Sequence, residues 1–206
     1  MKLKKLGLAI CVLVFLSITA FADSPLTSTD FSNAYTDEPI VITASNTNGV
    51  LTEELMNYLT DKKNPVALKM AVINKLGWDF NGKNNSQIFM NYLMKKYRFD
   101  NAEKFPKKAK GDDLLAMAYL KALDDYFKVD AAVELAEKAL KKNKKSRTYN
   151  LITGLIKAQK AFDGNWCEVF QITDRVRKNE KLKNDIKPEA VKIIYDYMDI
   201  YGDECK

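Results

Sequence analysis

Cys167, in the run Gly164-Asn165-Trp166-Cys167-Glu168-Val169-Phe170, is the first side chain to weigh for chemistry. Asn165 reads as a helix cap with Glu168 as its capping-box partner. That puts the thiol near a helix N-terminus, where its pKa is depressed and its nucleophilicity raised. The chain has no histidine at all. The usual general base near neutral pH is therefore missing, as are the His-dependent nucleophile triads. No second cysteine stands in a C-x-x-C arrangement with Cys167. A zinc site built on two cysteines would need two carboxylates to complete it. The favoured chemistry for Cys167 is a disulfide with Cys205, the other cysteine beyond the first 22 residues.

Carboxylates are the other reactive candidates. Asp124 with Asp125, and Asp196 with Asp199, sit close together in segments that read as helices. Such pairs are the minimum for acid–base hydrolysis, but solvated helix faces carry them equally well, and no hydrolase motif surrounds them. Lys95, Lys96, Lys107, Lys108 and Lys110 form a lysine-rich stretch that reads as an exposed connector or as an anion-binding surface. Asp79 begins a run faintly like a calcium loop. Asn84 and Met90 stand where an EF-hand needs Gly and Glu, so the match fails. An Asn81-Gly82 turn is the better reading. No metal, cofactor or catalytic residue is assigned.

The start of the chain sets its expected compartment. Lys2, Lys4 and Lys5 precede an apolar run from Leu6 to Ala20, and Ala20-Phe21-Ala22 supplies small residues at −3 and −1. This is the pattern of a bacterial Sec-type signal peptide, residues 1–22, cleaved before Asp23. The run is shorter than the roughly 20 residues of a bilayer span, so no membrane span is expected after cleavage. The protein is expected in the periplasm or outside the cell. Cys11 would leave with the signal, making the remaining cysteines an even pair.

The full chain carries a formal charge of +6. Without Lys2, Lys4 and Lys5 it falls to +3, and residues 23–50 contain four acids and no Lys or Arg. The basic excess beyond residue 50 is spread among Glu-Lys neighbours, so nucleic acid is not the expected partner. Residues 23–50 are rich in Ser, Thr, Asn and Asp. They read as a flexible or extended acidic leader, with Pro39–Thr43 extended against the domain.

Residues 51–206 read as a single helical domain. Thr52 caps a first helix with Leu51 and Met56 as its hydrophobic staple. Asn64 caps a second that has Pro65 in its first turn and Gly77 at its end. Others are expected from about Ser86, Asp112 or Asp113, Asp130, Ser146, Asn165 and Lys187-Pro188. Glu134-Lys138 and Glu137-Lys141 are (i, i+4) pairs in the favourable order. The fold class is all-α, with antiparallel helical hairpins stacked as an array or a compact bundle of about eight helices.

Asp113 to Ser146 would make one helix-turn-helix unit of 34 residues. Ala132, Ala136 and Ala139 provide small residues along AVELAEKAL, and Gly154 lies one period after Leu120. On these residues the chain from about 113 to 201 resembles the tetratricopeptide repeat family. Ala116, Tyr119, Leu120 and Lys144 depart from that family's Trp, Leu, Gly and Pro positions. The resemblance implies a surface that binds a protein or peptide. The function expected is thus an exported, non-catalytic interaction module. A periplasmic inhibitor or immunity-type protein against a toxin or hydrolase is the alternative, and a carboxylate enzyme acting on cell-wall polymers comes third. The basic run Lys141 to Arg147 is a candidate flank for an acidic partner, or simply a solvated loop.

Overall fold

A computed structural model describes residues 23–78 and 83–206. The expected signal peptide, and the Asp79 and Asn81-Gly82 readings, lie outside these residues. Among the described residues the fold is all-α: ten α-helices and three 3-10 turns, with one isolated bridge between Ser146 and Lys183. The helices are α1 (Pro39–Ser45), α2 (Glu53–Thr60), α3 (Val66–Leu76), α4 (Asn85–Tyr97), α5 (Phe105–Lys108), α6 (Gly111–Asp124), α7 (Asp130–Lys142), α8 (Arg147–Phe162), α9 (Trp166–Arg177) and α10 (Pro188–Met198). The 3-10 turns are Phe31–Tyr35, Ala102–Lys104 and Asp199–Cys205.

Three helices make the centre. In α3 every residue from Lys69 to Asn74 is buried, and in α6 every residue from Asp113 to Leu120. Helices apolar on nearly all sides belong inside a core, not on its edge. α8 is likewise buried over most of its length. Amphipathic helices pack around these three. α7 fully buries only Ala132, Ala136 and Ala139, whose small side chains let it lie close on α6, while Val133, Leu135 and Leu140 pack on the core part-exposed. α6 packs on α7, and α8 on α9, through short connections that make consecutive hairpins.

Short-range signals place the helix starts. Thr52 accepts from the Leu55 amide (3.4 Å), with Glu53 and Glu54 in the first turn of α2. Leu51 and Met56 are both buried, as a staple requires. Ser146 caps α8 through the Tyr149 amide (3.2 Å). Gly77 ends α3 with φ +72°, a conformation that favours glycine. One start differs from expectation. α3 begins at Val66 with Pro65 as its cap, and Asn64 instead donates to the Tyr58 carbonyl (2.9 Å).

Residues 23–50 correct the expectation of a flexible or extended leader. Leu26, Phe31, Tyr35, Val41 and Ala44 are buried in the main core. Pro39–Thr43 is helical, because Pro39 sits in the first turn of α1, where its fixed φ is helix-compatible. Burial of Val41 and Ala44 overrides the weak propensity of the β-branched run. Buried polar side chains of the core satisfy the segment's backbone. Asn74 accepts from the Ser32 amide (2.8 Å) and donates to the Thr29 carbonyl (3.1 Å) and the Tyr119 hydroxyl (2.9 Å). Gln159 accepts from the Leu26 amide (3.2 Å). Composition reads this segment as loop because its few apolar residues are spaced irregularly, yet most of them are buried or part-buried, Ile42 and Val50 staying exposed.

Candidate functional site

The Cys167 and Cys205 sulfurs are at bonding distance, 2.21 Å, with Cα atoms 4.7 Å apart. The bond ties the final 3-10 turn to the start of α9. Asn165 caps α9 by accepting from the Glu168 amide (3.0 Å). Its own amide goes to the Ala161 carbonyl (2.8 Å), so Glu168 is not needed for a reciprocal capping box. Trp166 is 50% exposed. Its indole N–H donates to the Phe162 carbonyl (3.1 Å), and its ring meets Tyr201 obliquely with centroids 6.5 Å apart.

Three of the four acids nominated for catalysis are engaged elsewhere. Asp124 lies at the end of α6 and accepts from the Asn85 and Ser86 amides (3.1 and 2.7 Å), capping α4 from another element. Asp125 is exposed. Asp196 pairs with Lys192 (2.5 Å), and Asp199 with Arg177. Asp185 performs a second cap of this kind. It accepts from the Thr148 amide (2.9 Å) at the start of α8. The lysine stretch is also divided. Lys96 donates to Thr60 (2.6 Å), Lys110 lies over the Tyr97 ring (5.3 Å), and Lys107 and Lys108 are exposed.

One ionic cluster escaped sequence reasoning. Lys69, whose side chain is 1% exposed, pairs with Asp112 (2.6 Å), and Asp112 also accepts from the Tyr149 hydroxyl (2.5 Å). Beside it the buried Asp113 carboxyl faces the Tyr97 hydroxyl without a close hydrogen bond. Desolvation raises the Asp113 pKa, with Tyr97, Lys110 and Lys69 opposing. Burial, then Asp112, raises that of Tyr149. Two adjacent acids at a helix start look like dipole partners, which hides this inward role. Among the described residues no group of three His, Cys, Asp or Glu side chains could hold a metal ion. None of the described helices is long and apolar enough to cross a membrane.

A groove lies over α8, bounded by α7 and α9. It consists of two adjoining hollows of ≈ 250 and ≈ 470 Å³ that share Glu137, Leu140 and Asn150. Gly154 lies at its floor, where α8 meets α9. A Cβ there would sit 3.4 Å from the Ile172 methyl. Ile172, Val176 and the half-buried Leu140 supply apolar lining. Glu137 pairs with Lys157 (3.0 Å) and not with Lys141 as the helix spacing suggested. Lys141 and Lys144 line one side and Arg175 the other, and none of the three has an ion pair among the described residues. The basic run continues the cationic rim. The Lys183 amide donates to the Lys145 carbonyl (2.7 Å) and the Arg147 amide to the Lys183 carbonyl (3.1 Å), bringing exposed Lys145 and Lys183 together.

The chain matches no protein-family model, and no curated protein and no solved structure is significantly similar to it.

Proposed function

We propose that this chain is an exported, non-catalytic interaction module that binds a protein or peptide partner through the surface formed by α7, α8 and α9. The groove supports this reading most directly. It has an apolar floor and cations on both sides, and no side chain of the described residues neutralises them. The acid pairs lend no comparable support to a hydrolase, because Asp124, Asp196 and Asp199 are occupied by a helix cap and ion pairs. Export rests on the basic n-region, apolar run and Ala-Phe-Ala site of residues 1–22. Helix-turn-helix stacking of the tetratricopeptide kind is the architecture we infer for α6 to α9, and such stacks bind segments of other proteins.

Two measurements test the proposal. Intact mass of the protein from a Sec-competent bacterial host should correspond to a chain beginning at Asp23. Retention of residue 1 would overturn export. Immobilised protein of residues 23–206 should retain a defined partner from an exported-protein fraction and release no fragments from purified cell-wall polymer. Fragment release abolished by Asp124→Asn or Asp196→Asn would replace the module with the enzyme.

A further inference from the structure

We propose that the α7–α8–α9 groove takes an acidic peptide segment that also carries at least one apolar side chain. This names the partner chemistry for the site of the preceding section and rests on that reading. The only carboxylate lining the groove, Glu137, is held by Lys157, so it does not offset the remaining cations. Lys141, Lys144 and Arg175 therefore present positive charge from opposite sides. A ligand that left them unpaired while displacing their water would lose more than it gained, so carboxylates are the matching groups. Arg175 in particular offers the planar fork that suits a carboxylate.

Charge alone would admit any polyanion. The floor does not, because the half-buried Leu140, with the exposed edges of the largely buried Ile172 and Val176, offers apolar contact between the cationic sides. An inserted aliphatic or aromatic side chain would remove that surface from water, which is where interface energy concentrates. From Glu137 to Lys141 and beyond, the groove follows little more than one to two turns of α7, about 10 Å at 1.5 Å per residue. That length accommodates about three extended residues or two helical turns of a ligand, not a whole domain.

The test places a photo-crosslinking benzoylphenylalanine at Asn150 in the groove, and separately at the exposed Gln87 on α4, in the full exported chain. Adducts from an exported-protein fraction are digested and the linked peptide is sequenced, then synthesised and used as the binding probe. The expected result is an adduct at position 150 whose linked peptide carries net negative charge and an apolar residue. Its synthetic form should bind less tightly as salt rises from about 50 to about 500 mM. It should also lose about tenfold or more in affinity for the K141E/K144E/R175E chain, provided thermal unfolding shows that this variant is folded. A neutral or basic linked peptide, or binding indifferent to the charge reversal, would overturn the acidic-ligand inference. So would displacement of the probe by inorganic polyphosphate alongside equal affinity for a probe whose apolar residue is replaced by Ser. Adducts only at position 87 would overturn the groove and leave the interaction-module reading standing. Adducts at neither position would overturn both.

Discussion

At the scale of single residues, Gly111 is constrained by space, not by backbone conformation. A Cβ at this position would lie 2.6 Å from the Tyr149 hydroxyl oxygen. Gly111→Ala should therefore push Tyr149 off Asp112 and lower unfolding free energy by about 1–3 kcal/mol, as measured by urea denaturation. Asp113 makes a pH-dependent contribution with an unusual sign. Its folded pKa is raised above the ordinary 3.8, so the native state holds its proton more tightly than the unfolded chain does. That stabilisation is complete below 3.8 and is lost as pH rises through the folded value. The stability of Asp113→Asn relative to the natural chain should accordingly improve between pH 4 and pH 7, in paired thermal unfolding curves. A difference independent of pH would show that Asp113 does not titrate with folding. Asp112 and Asp113 were legible in the sequence as a helix start and nothing more. Their buried cationic partner, Lys69, is 43 residues away from Asp112, and no local pattern connects the two.

At the scale of helices, the capped starts divide into two kinds. Thr52, Ser146 and Asn165 cap the helix that follows them, and periodicity plus residue type identifies all three. Asp124 and Asp185 cap helices from elsewhere in the fold, and the sequence marks them only as ordinary acids. Asp124→Ala should leave two first-turn amides of α4 without their carboxylate. Exchange protection at Asn85 and Ser86 should fall while the α8 amides stay protected, with a global cost of about 1–2 kcal/mol. The groove's loose cations were similarly hidden. Glu137 and Lys141 have the right spacing for each other, but tertiary packing gives Glu137 to Lys157. The disulfide, by contrast, followed from a count of two cysteines and their expected compartment. It closes a loop with a sequence separation of 38 residues. Its reduction, or Cys205→Ser, should lower stability by about 3–4 kcal/mol on the chain-entropy model. Equal unfolding midpoints with and without reductant would show that the bond is absent or carries no stability.

At the scale of the molecule, the segment before α2 belongs to the same core as the last helix. The helical class and most element positions were legible from residue 51 onward because periodic apolar faces announce themselves. The packed character of residues 23–45 was not, because its anchors are single residues met by distant partners. Asn74 is the most heavily used of these partners, with three hydrogen bonds to Thr29, Ser32 and Tyr119. Asn74→Ala should orphan buried groups on all sides and destabilise by about 2–5 kcal/mol, with protease cleavage appearing first in residues 23–38.

The contact between Tyr35 and Lys187 also has a temporal side. The Lys187 amide donates to the Tyr35 hydroxyl (3.1 Å) across 152 residues, and its ammonium lies over the Tyr35 ring and pairs with Asp37. At a synthesis rate of about 5–20 residues per second, Tyr35 is made about 8–30 s before its partner exists. During that interval Phe31, Tyr35 and Val41 have only part of their burial site available. Residues 31–41 are thus among the last of the described core to lock, and any factor that shields unfolded apolar surface has its longest opportunity there.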